Sequence, residues 1–266
     1  MDMQQLKQGM KATWMAGDFG QIANFTAPEA ERFVQRLNLR PGQRVLDVAC
    51  GSGNLAIPAA KSGCEVTGVD IATNLVEQAR ARAAKEGVKA TFEEGDAEQL
   101  QFPDNSFDVV MTMFGAMFAP RPDVTARELL RVCKSGGLIA MANWTPSGFT
   151  GKMFKLAATY VPPPADVPPP SQWGVVEKVK ERFGDAATVE TKPIMMNFDF
   201  PFPPEGVVEF FKKYFGPTQV AFSKLDAAKQ KEYQSELVRL WTENNQASGD
   251  RTLVPSEYLE VRATKK

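Results

Sequence analysis

Two rhythms of apolar and polar positions run along this chain, and the change between them divides it. Over residues 1–40 apolar positions such as Ile22, Phe33, Val34 and Leu37 recur at helical spacing. From Pro41 onward, short apolar runs alternate with helical stretches. Residues 44–49 (RVLDVA) form a nearly continuous apolar run, the mark of a strand buried on both faces. The glycine-rich turn CGSGN follows, and then a helix over 55–62 that Gly63 stops.

The alternation continues with a strand at 65–69, a helix at 73–86 closed by Gly87, and a strand at 89–94. Residues 103–106 predict a turn into a strand at 107–113. A helix at 124–133, a turn at 134–137 and a fifth strand at 138–143 complete the series. Five strands with intervening helices predict a parallel sheet covered on both sides and joined by right-handed crossovers. Beyond residue 145 the rhythm breaks. Residues 161–170 hold six prolines in ten, too short of donors for a helix or strand interior. The pattern then predicts a helix at 175–183, a strand at 188–198, helices at 204–215 and 226–245, and a last strand at 252–264.

Composition narrows the chemistry. With 31 basic and 32 acidic side chains, no positive excess exists to hold a phosphate backbone, and no nucleic-acid partner is expected. No apolar run reaches the ~20 residues that cross a bilayer, and residues 1–11 lack the apolar core of a signal peptide, so no membrane insertion and a cytoplasmic address are expected. Cys50, Cys64 and Cys133 are isolated, which argues against a disulfide framework and a metal site. The chain has no histidine at all, which removes every imidazole base and every His-ligated metal.

Three acidic positions carry the candidate chemistry. In VLDVACGSG, glycines at the end of a buried strand let backbone approach a ligand, and the following helix start offers donors to an anionic group. The same glycines fit a dinucleotide fingerprint. Asp47 tilts the choice, because a carboxylate there repels a pyrophosphate and suits a sulfonium ligand bearing an ammonium group. Asp70 ends the second strand, 19 residues after Gly51, where it would meet the two hydroxyls of a ribose. Asp96 follows the third strand and is placed to accept from an exocyclic amine. Each also has a plainer role open to it, as a turn or helix cap.

The series VLDVACGSG, GVD, EGDAEQLQFPDNSFDVVMT and LLRVCKSGG resembles the class I S-adenosylmethionine-dependent methyltransferases, and within them the type-11 group that includes quinone-biosynthesis C-methyltransferases. The resemblance covers about residues 42–145. It implies a Rossmann-like, doubly wound, mostly parallel seven-stranded sheet with an antiparallel last strand, and a helical insertion over the active site. It implies S-adenosylmethionine as cofactor and S-adenosylhomocysteine as product. Ala49, Gly51 and Gly53 would cradle the methionine part, Asp70 the ribose, Ile71 and Leu75 the nucleoside, and Asp96 and Ala97 the adenine. Thr112, Met113 and Phe114 would lie under the methionine portion. The N-terminal segment, residues 1–40, is similar to one that folds over the cofactor in some relatives. Residues 41–203 and 249–266 would form the core, and 204–248 an insertion serving as a lid over the acceptor.

For the acceptor, the aromatic load after the fourth and fifth strands and in the late helices predicts an apolar pocket with Phe118, Trp144 and Tyr214 in its lining, and the resemblance of the N-terminal segment to one that folds over the cofactor adds Trp14 and Phe19, although any single ring fits core packing first. No catalytic side chain is assigned, since a methyl group on sulfonium is already electrophilic and alignment supplies much of the catalysis. A small-molecule acceptor and a monomer or homodimer are expected. Two other readings stay open at this point: a nicotinamide-dependent oxidoreductase, and a protein that binds the cofactor without turning it over.

Overall fold

The computed structural model describes residues 2–266. Three helices open the chain: α1 (Met3–Met15), α2 (Phe19–Ala23) and α3 (Ala27–Leu37). The alternating part supplies β1 (Arg44–Val48), α4 (Ala56–Lys61), β2 (Glu65–Asp70), α5 (Thr73–Lys85), β3 (Ala90–Glu94), β4 (Phe107–Met113), α6 (Pro122–Val132) and β5 (Cys133–Trp144). Then come α7 (Phe149–Tyr160), α8 (Val176–Phe183), β6 (Ala187–Phe200), α9 (Pro204–Tyr214), α10 (Gly216–Ser223), α11 (Ala227–Asn244) and β7 (Thr252–Lys265).

All seven strands join one sheet in the order β3-β2-β1-β4-β5-β7-β6. The first five are parallel in their pairings, and β7 runs antiparallel to both β5 and β6. Val45 to Val48 on β1 are buried at every position, and so are Val109 to Thr112 on β4. Successive side chains on a strand face opposite ways, so both faces of the central sheet are covered. The order reverses between β1 and β4. In open α/β sheets that reversal is where crossovers diverge and leave a crevice at the carboxyl ends of the strands.

Three expectations need correction. The turn expected at 134–137 lies inside β5: Phe107 pairs with Cys133 but Val109 with Leu138, so the four intervening residues form a bulge, with Gly136 left-handed. Residues 149–160, where no helix was expected, form α7, whose apolar residues Phe149 and Met153 are buried. The helix expected to end at 215 is followed at once by α10, because Gly216 lies against α1; a Cβ there would come within 1.9 Å of the Thr13 carbonyl oxygen.

Candidate active site

A cavity of about 160 Å³ opens at the carboxyl ends of the parallel strands. Its floor is the turn after β1. Asp47, one residue from the end of β1, is 1% exposed, and its Oδ2 accepts the Ala56 amide at the start of α4 (3.0 Å). Burial pushes the Asp47 carboxyl well above the ordinary carboxylate range; the Ala56 amide opposes that shift and the nearby Asp70 adds to it. Asp70, the last residue of β2, braces the same turn. Its Oδ2 accepts the Gly51 amide and its Oδ1 the Ala72 amide, both at 2.8 Å. Burial raises the Asp70 carboxyl too, against the pull of these amides. The Ile71 amide adds to the same pull, and the carboxylate keeps lone-pair capacity for a further donor.

Asp96, two residues beyond β3, accepts the Lys7 ammonium of α1 on Oδ2 (2.6 Å) and the Glu98 amide on Oδ1 (2.9 Å). Lys7 also reaches Glu98 (2.7 Å), whose buried carboxylate is held by Arg121 (2.7 Å). Helix α1 buries none of its residues completely. These ion pairs and the packing of Trp14 therefore fasten it over the cavity.

Two non-glycine residues here adopt left-handed backbone, Ala49 after β1 (φ 56°) and Phe114 after β4 (φ 60°). Such conformations are rare away from glycine and cluster at ligand sites. The two are neighbours: a Cβ on Gly115 would stand 2.5 Å from the Ala49 carbonyl oxygen, so only glycine lets the two turns approach this closely. Phe114 in turn stacks on Trp144 at the end of β5, with ring centroids 3.7 Å apart.

Fourteen of the predicted site residues line this cavity: Asp47, Ala49, Gly51, Asp70, Ile71, Leu75, Asp96, Ala97, Met113, Phe114, Trp14, Phe19, Phe118 and Trp144. Three do not. Gly53 faces away, packed against Ile57 and Phe92. Thr112 is buried, and its hydroxyl accepts the Ala116 amide (3.1 Å), so it braces the turn that carries Phe114. Tyr214 contributes its carbonyl to the Asp18 amide (3.0 Å) and rests its ring on Phe210, while Phe215, one residue on, reaches the cavity. The helical spacing of Phe210, Phe211, Tyr214 and Phe215 could not tell which faces turn inward; Phe211 and Phe215 do. Lys7, Met10, Thr150 and Met153 also line it, with no motif to announce them.

A family model described as a methyltransferase domain matches residues 45–137. An uncharacterized protein of Mycobacterium tuberculosis is 36% identical over 242 residues, covering 89% of this chain and 88% of its own. The 2-methyl-6-phytyl-1,4-hydroquinone methyltransferase of Synechocystis is 43% identical over 107 residues, 40% of this chain and 33% of that enzyme. Among solved structures, the YcgJ protein of Bacillus subtilis shares the fold, with a TM-score of 0.60 at 19% identity, across 89% of this chain and 97% of its own. The chain belongs to the class I S-adenosylmethionine-dependent methyltransferases. It is accordingly an enzyme of methyl transfer on a seven-stranded Rossmann-like sheet.

Proposed function

We propose that the chain transfers the methyl group of S-adenosylmethionine to a small apolar acceptor by in-line displacement. The observation that carries this reading is the convergence of Asp47, Asp70 and Asp96, from three adjacent strands, on one cavity. When bound, the cofactor supplies a methyl group already activated by the positive charge on sulfur. The Asp70 carboxylate, braced by backbone amides, offers an acceptor for ribose hydroxyls in charge-assisted hydrogen bonds. Asp96 offers an acceptor for an exocyclic amine once Lys7 moves aside. Asp47 and Asp70 set negative charge beside the left-handed turn at Ala49 and Gly51, which suits a cationic ligand and disfavours a pyrophosphate. The rest of the wall is mainly apolar, with Met153, Phe154, Phe198 and Phe211 among its members; it holds the acceptor and excludes water. The similarity to the hydroquinone methyltransferase is in keeping with an apolar acceptor.

Calorimetry with S-adenosylmethionine, S-adenosylhomocysteine and NADH tests the cofactor, with binding of the first two expected. Tight NADH binding with no response to the sulfonium ligand would refute the reading. Label transfer from a methyl-labelled donor to an acceptor panel tests turnover; binding without transfer to any acceptor would mark a silent cofactor binder.

A further inference from the structure

Polar groups are divided unevenly along the cavity. Its charged side chains, Lys7, Asp47, Asp70 and Asp96, lie at or just after the carboxyl ends of β1, β2 and β3 or on α1 above them. From the end of β4 onward the lining side chains carry nitrogen or oxygen at two places only. These are the Thr150 hydroxyl at the start of α7 and the Trp144 indole at the end of β5. An acceptor bound in this half meets two polar hydrogens and no charge.

The hydrogen of the Thr150 hydroxyl has one place to go. Ser256 of β7 is wholly buried; its Oγ accepts the Thr150 amide (3.2 Å) and lies 2.8 Å from Thr150 Oγ1. Neither hydroxyl has another partner among the described residues. Two hydrogens are available, and the bond between the two oxygens uses one of them. Were Thr150 the donor, the Ser256 hydrogen would be left unpaired in a site closed to water, which is costly. With Ser256 donating, the spare hydrogen is that of Thr150, on a side chain that lines the cavity. Thr150 also sits in the first turn of α7, where the partial positive charge of the helix end strengthens it as a donor.

The Trp144 indole shares this wall. Trp144 pairs with Tyr258 across β5 and β7, and Ser256 is two residues before Tyr258, so all three face the same side of the sheet. Trp144 is 5% exposed, and its N–H has no partner among the described residues. Unlike the N–H of Trp173, it is not sealed away from a ligand or water. The ring is stacked on Phe114 and tilted against Phe198, and it lines the cavity, which is the space left to its N–H.

We propose that the Thr150 hydroxyl and the Trp144 indole N–H are the polar anchor of the acceptor subsite, and that the acceptor is an otherwise apolar molecule whose uncharged carbonyl or phenolic oxygen receives them. The oxygen lone pairs accept; no bond is made or broken at the anchor. A molecule of the same shape without the oxygen would leave both hydrogens unpaired in a dry site, a loss that rejects it strongly. A carboxylate or phosphate finds no cation there to offset its lost hydration. The one ammonium lining the cavity, Lys7, is held by Asp96 and Glu98.

The inference rests on the methyl-donor reading above, and the test separates the two. With the protein saturated by S-adenosylhomocysteine, calorimetry compares para-ethylacetophenone and its longer alkyl homologues with the isopropenyl hydrocarbons of the same shape, in which a methylidene group replaces the carbonyl oxygen. The ketones should bind more tightly, although the hydrocarbons leave water more readily. Thr150→Val keeps the shape and removes the hydroxyl. It should move the ratio of the two affinities about tenfold toward the hydrocarbon, with S-adenosylhomocysteine binding unchanged. Thr150→Ser should keep the native ratio, which loss of packing alone would not separate from the valine variant. Trp144→Phe removes the second donor, should move the ratio the same way, and serves if the valine variant does not fold. Hydrocarbons bound as tightly as ketones by the native protein, ketones not bound at all, or a ratio unchanged in a folded variant overturns the anchor. Failure to bind S-adenosylhomocysteine at all would instead sink the donor reading on which the anchor stands.

Discussion

The Lys7 ammonium stands 2.6 Å from Asp96 Oδ2, so a side chain of the first helix holds the acceptor atom proposed for the cofactor's exocyclic amine. Cofactor entry then competes with this ion pair. A partly exposed pair is worth up to about 1 kcal/mol, and Glu98 keeps its Arg121 partner without Lys7. Lys7→Met should therefore tighten S-adenosylmethionine binding about two- to fivefold and quicken its association. Stopped-flow fluorescence of Trp14 reads both. Weaker binding by the variant would mean that Lys7 helps to hold the ligand rather than blocking it.

Asp70 has a double role that makes the choice of substitution matter. Its two oxygens already pair the amides of Gly51 and Ala72, and an alanine would leave both amides without partners, at about 1–3 kcal/mol each. Asp70→Asn keeps one acceptor oxygen and most of the turn. It should weaken S-adenosylmethionine binding by about 1.5–3 kcal/mol, the worth of hydrogen bonds to a charged group, with a modest loss in thermal stability. Calorimetry beside a melting curve separates the effects; unchanged affinity would remove Asp70 from the cofactor site.

Asp47 should behave the opposite way in stability. Burial raises its carboxyl well above the ordinary value, so the folded chain holds that proton more tightly than the unfolded chain. As pH rises from the unfolded value of about 3.9 toward the raised one, the unfolded state ionises first and the fold loses stability. Asp47→Asn carries no charge and can still accept the Ala56 amide. The variant should be at least as stable as the native protein at neutral pH, with a flatter pH profile across that window, yet bind S-adenosylmethionine more weakly. Denaturant melts at several pH values check the first claim and calorimetry the second. A variant clearly less stable at neutral pH would show that the charge is compensated in the fold.

The parts of this site legible in the sequence are those whose physics is local. A strand buried on both faces announces itself as an unbroken apolar run, and a carboxylate at its end falls at a fixed place in the sheet; Asp47, Asp70 and Asp96 were readable for that reason. Lys7 was not, because nothing in α1 records which acidic turn lies across 89 residues of intervening chain. Tyr214 and Phe215 are neighbours with equal claims on a helical stripe, and the decision falls to the backbone. The chain leaves α9 at Phe215 because Gly216 must lie against Thr13 and Ala16. The bulge at 134–137 reads as a turn for a similar reason. Its glycines permit reversal, and only the pairing of β4 with Cys133 before it and Leu138 after it keeps the strand running through it.

Ala49 offers a test of strain at the site. A left-handed alanine costs about 1–2 kcal/mol relative to its relaxed conformation, and a glycine there would relieve it. Ala49→Gly should raise stability by up to about 1 kcal/mol, part of the relief being offset by the greater freedom of glycine in the unfolded chain. Denaturant midpoints at constant slope read the change. A clear loss of stability would show that the Ala49 methyl is held by contacts worth more than the strain.

The closure of α3 onto the sheet depends on one buried acid, and its pH dependence has a definite sign. Glu29 is 3% exposed, and its Oε1 accepts the Tyr258 hydroxyl of β7 (2.7 Å) and Arg36 (3.0 Å), while Oε2 accepts Arg32 (2.7 Å). Arg36 also pairs with Glu260 of β7 (2.8 Å). Burial works to raise the Glu29 carboxyl, but Tyr258, Arg32 and Arg36 more than offset it and hold the group below its ordinary value. A carboxyl depressed in the fold contributes stability above the unfolded pKa, about 4.3, and loses that contribution as pH falls through the lower folded value. Glu29→Gln should therefore lower stability at pH 7 by about 1–3 kcal/mol. The gap between native protein and variant should narrow once the pH drops below about 4.3. Urea unfolding at neutral and acid pH measures that gap. A gap that stays constant with pH would place the loss in packing and not in the charge.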